Sequence, residues 1–135
     1  MRKLLIVEDD TSLRKLYEAE FREEGYEVTS VASGEEAMEQ IEASPPEAIV
    51  LDIRLTGVDG LTILRELLQD KPGIAVVLNS AYPSYKQSFA SWSADGYVVK
   101  SSDLTELKQA VAAALERRSQ RAGGFAGGRR GSSAA

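Results

Sequence analysis

Leu4-Leu5-Ile6-Val7-Glu8-Asp9-Asp10 sets a four-residue apolar run directly against three carboxylates. Two later stretches are built alike: Ala48-Ile49-Val50-Leu51 ends in Asp52, and Tyr97-Val98-Val99 ends in Lys100. A short run rich in β-branched residues, flanked by helical patterns, reads as a strand buried on both faces of a parallel sheet. Ligands of such sheets bind beyond the carboxyl ends of the strands. The charges are therefore expected to converge at one end of one sheet. Carboxylates gathered without a counterion repel one another, so the cluster implies a bound cation.

Outward from these runs, strand and helix patterns alternate as in βαβ units. After the strand Lys3–Val7, Leu13, Leu16, Tyr17 and Phe21 recur at three- and four-residue spacing and predict a helix that Gly25 stops. Tyr26–Val31 alternates as an edge strand. A second helix over Glu35–Ala43 turns Ala37, Met38 and Ile41 inward, and Pro45-Pro46 closes it. After the strand Ala48–Leu51, Asp59 can cap a helix with Leu61, Leu64 and Leu68 inside. Ile74–Leu78 is a further buried strand, ending at Asn79-Ser80. A short, irregular helix is expected over Pro83–Trp92, with Phe89 and Trp92 packing it. The last strand is Tyr97–Val99. The last helix carries Leu104, Leu107, Val111, Ala114 and Leu115 on one face, with Asp103 and Glu106 spaced as a capping box. Five strands and five helices with right-handed crossovers make one α/β domain.

The 135-residue length suits a single core. No stretch approaches the roughly 18 apolar residues of a membrane span. The first apolar run is too short for a signal peptide, so a cytoplasmic location is expected. Without cysteine there are no disulfides or thiolate sites, and without histidine there is no His-based triad. Any phosphohistidine chemistry needs its histidine on a partner.

The net charge of −5 is unevenly spread: five arginines and no acid lie from Arg117 onward, leaving 11 basic against 21 acidic side chains before it, a net of −10. An acidic body argues against direct nucleic-acid binding, where phosphate contacts dominate affinity. Residues 1–117 are expected as the folded domain. Residues 118–135, rich in Gly, Arg, Ser and Ala, are expected as a disordered tail or linker remnant.

Four ordered features carry a family resemblance: Ile-Val-Glu8-Asp9-Asp10; Val-Leu-Asp52 followed by Gly57-Val58-Asp59-Gly60; Leu-Asn-Ser80-Ala81; and Gly96-Tyr97-Val-Val-Lys100. Together they resemble the receiver domain of two-component response regulators, over residues 2 to about 117. The resemblance implies a flavodoxin-like (βα)5 doubly wound sheet with strand order 2-1-3-4-5. It makes Asp52 the phosphoacceptor, a carboxylate nucleophile that becomes an aspartyl phosphate. It assigns Mg²⁺ to Asp9, Asp52 and the backbone carbonyl of Arg54, with Glu8 reaching the ion directly or through water. Lys100 pairs with Asp52 at rest and with the phosphoryl group afterwards. Ser80 senses that group through its hydroxyl, and Tyr97 is the aromatic whose position follows. Arg54 and Tyr82 are expected to flank the attacking water and tune the lifetime of the phosphoryl group. The implied partner is a sensor histidine kinase or phosphotransfer protein, with no membrane contact.

Several positions have a plainer reading beside the functional one. Asp10 and Asp59 read as helix-start acids favoured by the macrodipole rather than as ligands. Tyr97 reads equally as half-buried core, and the switch role rests on the resemblance. Thr56 and Ser101 stand where the family usually has proline, Ser102 where it usually has an aromatic, and Ser80 to Lys100 is about two residues shorter than usual. Because a cis bond before serine costs about 2.5–4 kcal/mol, Lys100-Ser101 is expected trans.

Two other function classes compete. A degenerate receiver would bind partners without phosphorylation, but all four chemical positions are intact. A phosphatase of the haloacid dehalogenase type needs a second aspartate two residues after the first. Arg54 stands there and cannot act as acid or base. A nucleotide site lacks its glycine-rich loop, because the first strand leads into Glu-Asp-Asp.

Overall fold

β3 (Ala48–Leu51) lies at the middle of a five-stranded parallel sheet ordered β2-β1-β3-β4-β5, with β1 at Lys3–Val7, β2 at Glu27–Val31, β4 at Ala75–Ser80 and β5 at Gly96–Val99. The computed structural model describes residues 2–55, 57–81 and 94–127, with side chains up to 119. Four helices accompany the strands among these residues: α1 (Thr11–Glu23), α2 (Gly34–Ala43), α3 (Gly60–Asp70) and α4 (Thr105–Gly127). The helix expected over Pro83–Trp92, with Phe89 and Trp92, lies outside the described residues, as do Thr56 and Tyr82.

Alternation along each strand divides the core into two layers. Leu4, Ile6, Val50, Val77 and Val98 pack on one face with Tyr17 and Phe21 of α1 and Leu107 and Val111 of α4. Leu5, Val7, Ile49, Leu51, Val76 and Leu78 pack on the other with Ala37 and Ile41 of α2 and Ile63, Leu64 and Leu67 of α3. Strands covered on both faces must be apolar at successive positions, which explains the unbroken runs.

The local signals act largely as anticipated. Gly25 follows α1 with φ +99°, a conformation that costs glycine little and other residues much. Asp10, Ser33 and Asp59 cap α1, α2 and α3 by accepting the amides of Leu13, Glu36 and Thr62. Gly60 starts α3 against the sheet, since a Cβ there would lie 2.2 Å from the Asp52 carbonyl oxygen.

Five details differ. β4 continues through Asn79 and Ser80, because β5 keeps pairing with it at Asn79–Val98 and Ser80–Val99. The inner face of α3 centres on Ile63, Leu64 and Leu67, with Leu61 and Leu68 half-buried; Gly60 sets the helix rotation within a wide apolar stripe. Leu16 is exposed, at a shallow groove with Leu104 and Lys108 between α1 and α4. Asp103 makes no capping box: it accepts the Thr105 amide, while Leu104 takes the cap position and its carbonyl accepts the Lys108 amide.

Finally, α4 runs to Gly127, ten residues beyond the expected end at 117. Its two arginines at that point grip Asp95, just before β5. Arg118 Nη2 and Nε donate to the two Asp95 carboxylate oxygens at 2.9 and 3.1 Å, and Arg117 donates to the Asp95 carbonyl. This anchorage holds the helix beyond Leu115, the last of its buried apolar residues among those with described side chains. The backbone of 118–127, expected as part of the tail, continues α4, and 128–135 lie outside the described residues.

Candidate functional site

The parallel register delivers Glu8 and Asp9 from β1, Asp52 from β3, Ser80 from β4 and Lys100 from β5 to one end of the sheet. β1, β3 and β5 each stop where the apolar run meets a charge. Glu8 stays tied to the sheet, donating its N–H to the Val31 carbonyl at 3.1 Å, and Asp52 donates its own to Val7 at 3.2 Å.

Lys100 joins the acids. Its Nζ lies 2.9 Å from Asp52 Oδ2 and 2.7 Å from Glu8 Oε1. The Lys100 backbone N–H donates to the Ser80 carbonyl at 2.7 Å, which ties the ends of β4 and β5. No peptide bond among the described residues is cis, so Lys100-Ser101 is trans as expected from serine at that position. The Glu8 partnership is an addition to the anticipated Asp52 one.

Burial makes this cluster electrostatically demanding. Glu8 and Asp52 are buried and Asp9 is exposed, yet one oxygen from each lies within 4.8 Å of the others. Burial pushes the Glu8 carboxyl above its usual range, and the Lys100 ammonium and Asp10 amide offset that only in part. Burial alone would lower the Lys100 ammonium, but its bonds to Glu8 and Asp52 outweigh this and hold it well above its ordinary value. Lys100 therefore stays charged.

One ammonium against three carboxylates leaves this group of four side chains net negative. Like charges about 5 Å apart repel by roughly 3–4 kcal/mol at an effective dielectric of about 20. Glu8 Oε1 is buried, with the Lys100 ammonium 2.7 Å from it. An all-oxygen donor set with one open side suits a hard divalent cation that keeps part of its water shell. The residues present fit such an ion.

The remaining positions vary in their placement. Arg54 is exposed and donates its amide to Asp52 Oδ1 at 3.2 Å, so the loop wraps the Asp52 carboxylate. Ser80 is fully buried at the end of β4. Tyr97 is half-buried, paired in register with Leu78 and packed on the layer formed with α2 and α3. Asp10 and Asp59 serve as caps, and neither joins the cluster. In sequence, Asn79 reads only as a strand end and Tyr17 only as core. Asn79 Nδ2 donates to the Tyr17 hydroxyl at 3.1 Å directly beside Ser80. The available signal was a polar residue on the face where Ala75 and Val77 are apolar.

A family model described as the response regulator receiver domain matches residues 4–112. Response regulator ArlR of Staphylococcus saprophyticus is 31% identical over 122 residues, covering 90% of this chain and 56% of that protein. The chain thus spans about half the length of the curated relatives it matches. Among solved structures, response regulator TrrA of Thermotoga maritima, crystallised in complex with Mg²⁺ and BeF, is 37% identical with a TM-score of 0.78. It covers 83% of this chain and 97% of that one. A CheY-like receiver domain protein of Methanospirillum hungatei is 25% identical with a TM-score of 0.83, over 90% of this chain and 98% of that one.

Proposed function

This chain belongs to the response regulator receiver domain family, and from that premise we propose that it accepts a phosphoryl group on Asp52 from a partner's phosphohistidine. The observation that carries the reading is the Lys100 ammonium held between the Asp52 and Glu8 carboxylates at the strand ends. The family is a signalling domain rather than a classical enzyme. The chemistry proposed is limited to the domain's own phosphorylation and dephosphorylation.

Asp52 attacks phosphorus through a carboxylate oxygen; the phosphorus–nitrogen bond breaks and the partner's imidazole leaves. Little covalent work falls to the protein, so catalysis consists of positioning and charge neutralisation. Glu8, Asp9, Asp52 and the Arg54 carbonyl would hold Mg²⁺. When bound, that ion neutralises oxygens of the transferring group, as fits the Mg²⁺–BeF complex of the Thermotoga relative. Lys100, a flexible point charge, moves from the Asp52 carboxylate to a phosphoryl oxygen. Ser80 donates its hydroxyl to another, and the half-buried Tyr97 ring follows its displacement. Arg54, two residues beyond Asp52, would flank the path of the water that later hydrolyses the acyl phosphate; Tyr82, given the same role by the resemblance, lies outside the described residues.

We assign the donor as a sensor histidine kinase or phosphotransfer protein, because this chain has no histidine of its own. We place the domain in the cytoplasm; no helix among the described residues is long and apolar enough to cross a membrane. The test is incubation with acetyl phosphate and Mg²⁺, read by intact mass. One phosphoryl adduct is expected, absent in Asp52→Asn and without Mg²⁺. Labelling that persists in either control refutes the assignment.

A further inference from the structure

Tyr17 and Asn79 form a buried polar pair in an otherwise apolar layer. Both are almost fully buried, at 1% and 2% exposure. Asn79 Nδ2 donates to the Tyr17 hydroxyl at 3.1 Å, joining β4 to α1 across 62 residues of sequence. Tyr17 belongs to the buried layer that also holds Ile6, Val50, Val77, Val98, Leu107 and Val111.

Stability gives no reason for such a pair. A buried amide left without a partner costs about 1–3 kcal/mol, yet replacing both partners by apolar groups of similar shape is close to neutral. Two aliphatic side chains would continue the Ala75–Val77 face and hold α1 equally well.

Its position gives a reason. Asn79 adjoins Ser80, and the Ser80 carbonyl accepts the Lys100 amide. Asn79 is paired in register with Val98, two residues before Lys100. The Tyr17 hydroxyl is near enough to Glu8, Lys100 and Asp52 to feel their charges, beyond the effect of its own burial. The bond therefore links α1 to the stretch of β4 that must move if Ser80 is to follow a phosphoryl group.

We propose that the Tyr17–Asn79 hydrogen bond is a positioning pair: it holds the end of β4, and with it Ser80 and Lys100, in the resting arrangement. It touches neither the phosphoryl group nor the cation. The inference rests on the receiver reading above. In a two-state switch, a contact made only at rest opposes the active state by its own free energy, and its removal lowers the ligand concentration needed to shift the equilibrium.

The test uses the full chain, with Mg²⁺ and beryllofluoride as the phosphoryl mimic. Amide shifts near Ser80 and Tyr97 report the switch, and urea unfolding reports stability. Tyr17→Phe leaves the Asn79 amide unpaired and is expected to lower stability; adding Asn79→Leu restores it. Both variants are expected to reach half-response at beryllofluoride concentrations about three- to tenfold lower, and the double variant keeps this gain after its stability has recovered. A pair that only satisfies a buried amide leaves the double variant's titration superimposable on that of the unsubstituted chain, which overturns the inference alone. No response in the unsubstituted chain overturns the receiver reading and the inference with it. If the double variant does not fold, the Tyr17→Phe titration decides in the same way.

Discussion

Lys100 Nζ and Asp52 Oδ2 lie 2.9 Å apart, 48 residues distant in sequence, so that the end of β5 is closed onto the end of β3 across β4. The same ammonium neutralises Glu8, whose carboxylate side chain is only 2% exposed. One ammonium thus pairs with both buried carboxylates at this end of the sheet.

Lys100→Met is expected to destabilise the metal-free protein by about 1–3 kcal/mol, because two buried carboxylates lose their partner. The loss falls short of that for a fully buried pair, since the Lys100 side chain keeps 19% of its exposure. Urea unfolding without divalent cations measures it. Unchanged stability would show that the ion pair is energetically idle.

Mg²⁺ is expected to raise stability, by about 2.7 kcal/mol at a hundredfold excess over its dissociation constant. The increment should shrink in Glu8→Gln and in Asp9→Asn, each of which removes one member of the carboxylate cluster. Thermal melts with and without Mg²⁺ make the comparison. Equal increments in all three proteins would place the ion elsewhere.

Alkaline pH should weaken the fold through Tyr17 and Lys100. Burial raises the Tyr17 hydroxyl, and the bonds to Glu8 and Asp52, outweighing burial, raise the Lys100 ammonium. Groups raised in the folded state bind protons more tightly there than when unfolded. Their contribution is complete below the unfolded values, about 10 for tyrosine and 10.4 for lysine, and is lost as pH rises through the folded ones. Urea unfolding from pH 8 to 11 should show stability falling above about pH 10, less steeply in Tyr17→Phe. A flat profile contradicts the shifts.

Ser80→Ala should still accept phosphate on Asp52 but transmit less of it. The hydroxyl is the proposed link between the phosphoryl group and the face carrying Tyr97. Amide shifts near Tyr97 should respond to beryllofluoride with smaller amplitude than in the unsubstituted chain. Equal amplitudes would remove Ser80 from the switch.

Deleting residues 119–135 should cost less than about 1 kcal/mol, whereas Arg118→Ala should cost about 1–3. Arg118 binds both carboxylate oxygens of Asp95 and also donates to the Pro72 carbonyl, while Asp95 Oδ2 accepts the Val76 amide at 2.8 Å. Thermal melts of the truncated and substituted chains test the ordering. A larger loss on truncation would show that the segment beyond Arg118 docks.

The sheet was legible because its strands announce themselves twice. Leu4–Val7, Ala48–Leu51 and Val76–Leu78 are unbroken apolar runs, as burial on both faces demands, and the charges that end the first two mark the carboxyl edge. Asp10, Asp59 and Gly25 act within three or four residues of where they sit, so their roles could be read locally. The rotation of α3 could not, because five apolar residues form a stripe wider than one contact line and Gly60 selects its centre through the Asp52 carbonyl. Nor could the reach of α4, where propensity argues for a stop and Asp95, 22 residues upstream, supplies the hold.

By itself, the sequence determined the order of elements, the layering of apolar residues, and which charged side chains stand at strand ends, because these follow from periodicity and short-range chemistry. Only the tertiary structure decided that Lys100 serves Glu8 as well as Asp52, that Asn79 finds its partner in Tyr17, and that Arg118 clasps Asp95. Each of these joins residues 23 to 92 positions apart. A polar side chain carries no mark of its distant partner, and burial forces a choice that only packing in three dimensions can supply.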